Sequence, residues 1–206
     1  MNVSQATQTR KVISLMHASL DGFTAGPNGE LEWAIVDEES YKDVANLLTT
    51  VDTALYGRVT YRMMESYWPT VPANPASTEA DIHHAHWVEN VHKIVFSRTL
   101  ETVTWNNTRL VKERIADEIA RLKQQPGKDM MIFGSPSIVH ALTQHGVIDE
   151  YRIYLNPIVL GGGIPLFKDV NEGIALELLE ARPFRSGVVG LYYRRVSDGG
   201  TQSMNW

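Results

Sequence analysis

Cysteine is absent from this chain of 206 residues. The chain therefore has no disulfide, no thiolate nucleophile and no metal site that needs cysteine. It also lacks an apolar segment approaching the ~20 residues that span a bilayer. Residues 1–10, MNVSQATQTR, lack the apolar core of a signal peptide. These absences predict no membrane partner and favour a location in the cytoplasm.

Positive charge is scarce as well. The sequence has 19 Lys and Arg residues against 24 Asp and Glu residues, a formal net charge of −5, and no basic stripe. This balance argues against a nucleic-acid partner. The hydrophobic content of 43% and the charged content of 21% are typical of a soluble globular protein. The length suits one well-buried domain that binds a small molecule.

The strongest local pattern begins with the apolar run 130–133, which predicts a short buried strand. Gly134 then breaks the run, and a helical pattern follows at once. Ser135 is a natural N-cap, Pro136 suits the first helical position, and Ser137 follows them. A strand, a glycine turn and a helix N-terminus together present backbone N–H groups to an anion such as a phosphate. The alternative is a tight turn in an ordinary α/β domain.

A second extended run covers residues 151–155 and 157–160 and ends in Gly161-Gly162-Gly163. No G-x-G-x-x-G fingerprint is present, so the pattern is not that of a Rossmann fold. The segments FGSPSIVHAL and GVIDEYRIYLNPIVLGGGIPLF instead closely resemble the dihydrofolate reductase-like family. Within that family they resemble the reductase domain of bacterial riboflavin-biosynthesis enzymes (RibD) and its stand-alone relatives. The deaminase half of those bifunctional enzymes has no counterpart in this chain.

The resemblance implies that one wall of the active site lies early in the chain. A strand at 11–17 leads into Ala18 and then into the motif SLDGF, which contains Ser19 and Asp21. From the residues alone, Asp21-Gly22 reads as a turn that could join two strands of a hairpin. The resemblance instead implies that this loop lies beside the nicotinamide. It also implies that Trp33, in the motif GELEW, lies at the edge of the substrate pocket, although a lone Trp is more often a core residue.

Asp37 opens a predicted helix with two further acidic residues. Carboxylates in a first helical turn are favoured by the helix dipole, so simple capping explains Asp37. The resemblance offers a second interpretation, because dihydrofolate reductases carry a substrate-binding acid on the helix that follows a comparable Trp. The proton that accompanies hydride transfer would come from Asp21, from Asp37 or from a bound water, and the sequence leaves these three open.

A second phosphate-binding turn is implied after the short strand 53–56. There, Gly57, Arg58 and Thr60 precede another helix, in a pattern similar to the family's GR-x-T turn. The resemblance implies that Arg58 meets the anionic cofactor, while Thr60 and the helix N-terminus hold its diphosphate. Without the strand before it and the helix after it, a Gly-Arg pair would not indicate a phosphate-binding turn.

Selectivity for NADPH is implied by Ser97, Arg98 and Thr99, which follow the strand 91–96 in another family-like motif. A hydroxyl and a guanidinium at a strand end can bind the 2′-phosphate that distinguishes NADPH from NADH. The alternative is an exposed strand end with a solvated arginine.

The remaining segments complete the expected architecture. We expect helices at 79–90 and 113–124, a loop at 68–77, and closing antiparallel strands at 174–180 and 188–195. The helix at 79–90 carries His83, His84 and His86, which we interpret as solvated side chains because no metal-binding spacing accompanies them.

The predicted fold is a three-layer α/β dihydrofolate reductase-like fold, with a mostly parallel mixed sheet and antiparallel C-terminal strands. The domain would cover residues 11–195, between a disordered tail at 1–10 and a second tail at 196–206. The resemblance implies an NADPH-dependent reductase that acts on a small heterocyclic substrate of pterin or pyrimidine type. A non-catalytic nucleotide-binding or flavin-binding protein is the alternative. A homodimer is expected because the apolar residues near the glycine run exceed what a monomer readily covers; these are Ile158, Leu160, Ile164 and Phe167.

Overall fold

A computed structural model describes residues 9–196. The elements follow in this order: β1 (Val12–Ser19), β2 (Phe23–Ala25), α1 (Glu38–Leu48), β3 (Val51–Gly57), α2 (Arg58–Tyr67), a 3-10 helix (Trp68–Ala73), α3 (Glu79–Asn90), β4 (His92–Phe96), β5 (Thr108–Val111), α4 (Ile115–Lys123), β6 (Asp129–Phe133), α5 (Pro136–Gln144), β7 (Glu150–Asn156), β8 (Ile164–Pro165), β9 (Leu176–Pro183) and β10 (Val189–Arg195).

Eight strands form one sheet in the order β5-β4-β3-β6-β1-β7-β10-β9. All neighbours from β5 to β7 pair in parallel, whereas β10 pairs antiparallel with both β7 and β9. Strands β2 and β8 form a separate two-stranded sheet. The predicted mostly parallel sheet with antiparallel C-terminal strands is therefore confirmed.

Helices cover both faces of the sheet, which makes the domain three-layered. On one face, Ile119 of α4 and Val139 of α5 belong to the same buried cluster as Met130. On the other face, Tyr61 of α2 and Val88 of α3 pack in the cluster that contains Met131. Because β6 lies between the two layers, its side chains are apolar in succession, as expected for a strand buried on both faces.

Three local predictions were wrong. Residues 157–160 do not extend β7, since Pro157 has no N–H to donate and the strand ends at Asn156. The expected loop after α2 begins with the 3-10 helix Trp68–Ala73. Strand β5 was missed, because its four residues, with only two apolar side chains among them, give too short a pattern to recognise.

The two predicted tails lie mostly outside the described residues, because residues 1–8 and 197–206 are not described. Arg10, assigned to the N-terminal tail, is instead buried, with only 6% of its surface exposed. Its guanidinium pairs with Asp52 and donates to Thr53 at 2.7 Å, which holds Arg10 against the start of β3. Over the described range, no helix has both the length and the apolar character to cross a membrane.

The three histidines of α3 differ in environment. His83 and His86 are exposed, as interpreted from the sequence. His84 instead packs its ring against Trp68, with 4.4 Å between ring centroids. Burial lowers the pKa of His84 to about 4. Within residues 9–196, no group of three or more His, Asp or Glu side chains is placed to hold a metal ion.

Candidate active site

The carboxyl ends of β4, β3, β6 and β1 lie side by side along one edge of the sheet, because these neighbouring strands are parallel. Gly57 is the last residue of β3, Ser97 and Gly134 directly follow β4 and β6, and the loop after Ser19 begins at the same edge. In open α/β sheets, ligands bind beyond the carboxyl ends of the strands. The fold thus brings all the predicted cofactor-binding segments to one edge.

Two helix N-termini meet at this edge from opposite faces of the sheet. Helix α2 starts after Gly57 and α5 starts after Ser135, and neither N-cap residue satisfies the first turn with a side-chain hydrogen bond. Ser135 is the N-cap residue, as predicted, but its hydroxyl has another partner. The Gly57 N–H donates to Ser135 Oγ at 3.0 Å, which ties the two turns together. In α5, Pro136 has no N–H and the Ile138 N–H donates to the Ser135 carbonyl at 2.9 Å, so that helix offers the Ser137 N–H to an anion, whereas α2 offers the N–H groups of its first turn.

Glycine is favoured on both sides of this junction, by the backbone conformation at 134 and by the lack of space at 57. Gly134 has φ +54°, in the left-handed region, and a Cβ built there meets only Thr60 Cγ2, at 3.9 Å. A Cβ on Gly57 would lie 3.1 Å from both Ser137 Oγ and Ile138 Cγ1. The absence of a side chain at 57 therefore lets the helices approach, and its absence at 134 leaves open space between them.

A cavity of about 460 Å³ opens beside this junction, towards β4 and β5. Ser97 and Arg98 line one side, and Ser137 of α5 lines the other. Lys112 and Arg114, which sequence reasoning missed, add two cationic side chains. They follow the unpredicted strand β5, so recognising that strand would have pointed to them. Apolar side chains such as Phe96 and Val111 form much of the lining, and the three cationic side chains outnumber the one carboxylate, that of Glu113.

Arg58 and Arg98 are exposed, and neither makes an ion pair or a hydrogen bond with any residue in the described range. Arg114, by contrast, is paired with Asp117. Ser97 Oγ accepts the N–H groups of Thr99 and Leu100, at 3.2 and 3.0 Å. The hydroxyl is thereby fixed at the strand end, and it also lies 3.4 Å from Thr99 Oγ1, a contact in which either hydroxyl can be the donor. Both guanidinium groups are open to an anionic ligand.

Asp21 holds the glycine run against the end of β1. Its carboxylate accepts from Ser19 Oγ at 2.6 Å and from the N–H groups of Leu160 and Gly161 at 3.1 and 2.7 Å. The hydrogen bond from Ser19, helped by those of the two N–H groups, lowers the pKa of Asp21 to about 2. The carboxylate is therefore ionised at neutral pH and holds the loop. A catalytic role for Asp21 stays a prediction.

The residues proposed to contact substrate lie around the same loop. Ala18 and Ser19 are buried at the end of β1, and the Ser19 hydroxyl is engaged with Asp21 and with the Phe23 N–H. Trp33 is half-buried and donates its indole N–H to the Glu30 carbonyl at 3.0 Å. Their contact with substrate stays a prediction. The hairpin alternative for Asp21-Gly22 was wrong, because β2 pairs with β8 and not with β1.

Asp37 is the N-cap of α1. Its carboxylate accepts from the Ser40 N–H at 2.7 Å, and Ser40 Oγ accepts from the Asp37 N–H, which completes a capping box. Partial burial raises the pKa of the Asp37 carboxyl, but hydrogen bonds from Ser186 and Ser40 outweigh that effect and hold it below its usual value. The capping interpretation is observed, and the catalytic one stays a prediction.

The acid of α1 that faces the sheet is Asp43, which the sequence did not single out. Its carboxylate accepts from the hydroxyls of Tyr154 and Tyr192 and pairs with Arg182. All three partners lie more than 100 residues away along the chain. No local pattern marks such a cluster, so only the fold could identify it.

Comparisons with known proteins agree with this geometry. The family model of the RibD C-terminal domain matches residues 10–190. Protein YyaP of Bacillus subtilis (strain 168), which is described as uncharacterized, is 36% identical over 186 residues, covering 89% of this chain and 94% of that protein.

Two solved structures show the same fold. A pyrimidine reductase-like protein from Corynebacterium diphtheriae matches with a TM-score of 0.64 and 13% identity, over 96% of each chain. A dihydrofolate reductase from Enterococcus faecalis, complexed with NADP(H), matches with a TM-score of 0.60 and 14% identity, over 91% of this chain and 97% of that one. The fold is therefore dihydrofolate reductase-like, as the sequence predicted.

Proposed function

The chain belongs to the RibD C-terminal domain family, and we propose that it is an NADPH-dependent reductase that transfers a hydride to a small heterocyclic substrate of pterin or pyrimidine type. The family and the fold are those of reductases. To this assignment at the level of the family, we add that the protein binds NADPH and that its substrate is of pterin or pyrimidine type.

One observation carries the proposal: two helix N-termini without side-chain caps converge on open space at the carboxyl edge of the sheet. The N–H groups of the first turn of α2 and the Ser137 N–H of α5 would bind the diphosphate of the cofactor. Gly134 leaves room for that approach, and Arg58, at the first position of α2, adds a charge that no neighbour in the described range neutralises. An anionic dinucleotide suits this arrangement better than a neutral ligand does.

The neighbouring cavity supports NADPH over NADH. Ser97 and Arg98 would bind the 2′-phosphate, the hydroxyl by donating a hydrogen bond and the guanidinium by charge and a planar pair of N–H groups. Lys112 lines the same cavity and strengthens the positive potential there. A cofactor that lacks the 2′-phosphate would leave these groups without a partner.

When bound, NADPH supplies the hydride, and the residues of this chain bind, orient and shield the reactants. Asp21 fixes the glycine run beside the end of β1, so it shapes the site without carrying a proton at neutral pH. The pKa of Asp37 is also held low. The proposal therefore assigns the proton to a water molecule, the third source that the sequence left open.

We also propose that the protein is a homodimer. Phe167 is 41% exposed and Val159 is 65% exposed beside the glycine run. Leu178 and Leu179 are exposed on β9, the strand at the outer edge of the sheet beside β10. An eight-residue edge strand that exposes two leucines can pair with a second copy, although Glu177, Glu180 and Arg182 also lie on it. Sedimentation at micromolar concentration should give a dimer, and a monomer under those conditions would refute the assignment.

NADPH oxidation by the purified protein tests the function. The assay would follow the absorbance of NADPH with dihydrofolate, a dihydropterin and a diaminouracil as acceptors, and mass spectrometry would identify any co-purified ligand. Turnover with at least one acceptor supports the proposal. A protein that binds NADPH but oxidises it with none of them favours the non-catalytic alternative. A yellow protein with a co-purified flavin favours the flavin-binding alternative.

A further inference from the structure

His17 lies near the end of β1, on the sheet face that α1, α2 and α3 cover. Ile13 and Leu15 point to that face, and the alternation of a strand puts His17 there too. Along the strand, pairing with β6 stops at Leu15, while pairing with β7 continues to Ser19. One side of β1 at His17 is therefore unpaired.

The glycine turn of the proposed cofactor site adjoins this unpaired side. The Gly134 N–H donates to the Leu15 carbonyl at 3.0 Å, two residues before His17. His17 thus lies next to the gap between the end of β1 and the turn that leads into α5. In the proposed function, the cofactor and its substrate meet along this edge.

Asn156 fixes which ring nitrogen of His17 carries the proton. Asn156 Oδ1 accepts the Ile35 N–H at 2.8 Å, and Nδ2 donates to the Tyr154 carbonyl at 2.9 Å, so the amide has one orientation. The second N–H of Nδ2 is shared between the Ala18 carbonyl, at 3.4 Å, and His17 Nδ1, at 3.3 Å. Since Nδ2 is a donor, Nδ1 is the acceptor, and the proton of the neutral imidazole is on Nε2.

The ring is held in place and stays neutral. It stacks on Tyr154, with 5.3 Å between centroids and 25° between planes, and Phe184 stacks on the same tyrosine. The Tyr154 hydroxyl is in turn bound by Asp43 at 2.6 Å. Burial lowers the pKa of His17 to about 4. The imidazole is therefore a rigid neutral donor.

No residue in the described range accepts a hydrogen bond from His17 Nε2. The fully enclosed side-chain polar atoms without a partner are Thr24 Oγ1 and Arg152 Nε over that range, so Nε2 remains reachable from outside. Because Nδ1 faces Asn156 on β7, Nε2 points away from β7, towards the side where β6 has ended. A reachable N–H can donate to water in the free protein and to an acceptor atom of a ligand when one is bound.

We infer that His17 is a substrate-contacting residue whose Nε2–H donates a hydrogen bond to a ring nitrogen or carbonyl oxygen of the heterocycle. The inference rests on the proposed reductase function. It restricts the substrate to one with an acceptor atom beside β1, and it disfavours a cationic or purely hydrocarbon group at that position.

The first test needs no substrate. In protein labelled with ¹⁵N-histidine, long-range ¹H–¹⁵N correlation spectra at neutral pH should show His17 with a bare Nδ1 and a protonated Nε2, with His17→Gln providing the assignment. A proton on Nδ1, or a doubly protonated ring at neutral pH, would overturn the inference.

The second test compares variants in the NADPH-oxidation assay, with dihydrofolate, the dihydropterin and the diaminouracil as acceptors. For an acceptor that the parent reduces, His17→Leu should lower kcat/KM about tenfold and leave the affinity for NADPH unchanged. His17→Gln, which keeps an N–H donor, should recover part of the loss. His86→Leu, at an exposed site on α3, is the matched control. Thermal unfolding of each variant separates a folding defect from a lost contact.

The outcomes are distinct. An unchanged kcat/KM in folded His17→Leu overturns the role of His17 and leaves the reductase function standing. A parent protein that neither binds NADPH nor reduces any of the three acceptors overturns the proposed function, and the role of His17 with it.

Discussion

Replacing Gly134 by alanine tests the phosphate-binding turn with one methyl group. The residue has φ +54°, and the new Cβ would enter open space, with Thr60 Cγ2 the nearest atom at 3.9 Å. Packing is therefore undisturbed, and the folding cost is that of a left-handed alanine, about 1–2 kcal/mol. For a protein of this size that is roughly 2–8 °C in Tm. The chain should remain folded at room temperature.

The effect on NADPH should be larger than the effect on folding. The methyl group projects into the space between the N-termini of α2 and α5, where the diphosphate would lie. Losing one charge-assisted hydrogen bond costs about 1.5–3 kcal/mol, which corresponds to roughly a ten- to hundredfold loss of affinity. Calorimetric titration with NADPH and thermal unfolding, performed on the same sample of Gly134→Ala, would measure both effects.

Gly146→Ala is the matched control, at the opposite end of α5. Its φ of +61° imposes a similar backbone cost, and its Cβ would lie 3.0 Å from the flexible Arg195 guanidinium. This variant should lose at least as much stability and keep the affinity for NADPH. The reasoning is refuted if Gly134→Ala binds NADPH as tightly as the parent, or if both variants lose affinity equally.

Three further predictions follow from single contacts. Arg98→Ala should lower the affinity for NADPH about tenfold or more and leave the affinity for NADH unchanged, because the substitution removes only the contact with the 2′-phosphate. An unchanged ratio of the two affinities, measured by calorimetry, would contradict the assignment. The free energy of unfolding should fall as the pH drops from 6.5 towards 4, because the unfolded chain takes up protons that folded His17 and His84 do not bind. Each histidine contributes about 2–3 kcal/mol, so urea unfolding should show a weaker pH dependence in His84→Phe, and an unchanged dependence would refute this account. Lys93→Met should cost about 2–4 kcal/mol, because the buried ammonium donates to three carbonyls near the end of α3, and a change below about 1 kcal/mol in the same assay would show that water replaces it.

The turn at the centre of the candidate site could be predicted because its determinants are local. A short buried strand, a glycine at positive φ and a proline at the first helical position are all read from neighbouring residues, and all three are present at β6, Gly134 and Pro136. The parallel order of the sheet then brings this turn beside Gly57 and Ser97. The resemblance to a known family supplied their roles, which spacing alone would not have given.

Some errors had local causes, such as Pro157 and the shortness of β5, and others arose where distant residues decide the structure. The run 157–160 has the composition of a strand, yet Asp21 binds the N–H groups of its last residue, Leu160, and of Gly161, 139 and 140 residues away in sequence. Asp43 and His17 gained their partners in the same way, from β7 and β10. A local sequence pattern does not reveal such long-range contacts. The cluster of Asp43 with Tyr154, Tyr192 and Arg182 could therefore be found only in the folded chain.

Calorimetric titration of the purified protein with NADPH and with NADH tests the central claim most directly. The account predicts one NADPH bound per chain, with an affinity at least about tenfold higher than that for NADH, since the helix N-termini bind the diphosphate of both cofactors and Ser97 and Arg98 bind the 2′-phosphate of one. Absence of binding heat with NADPH at several temperatures, or equal affinity for the two cofactors, would contradict it.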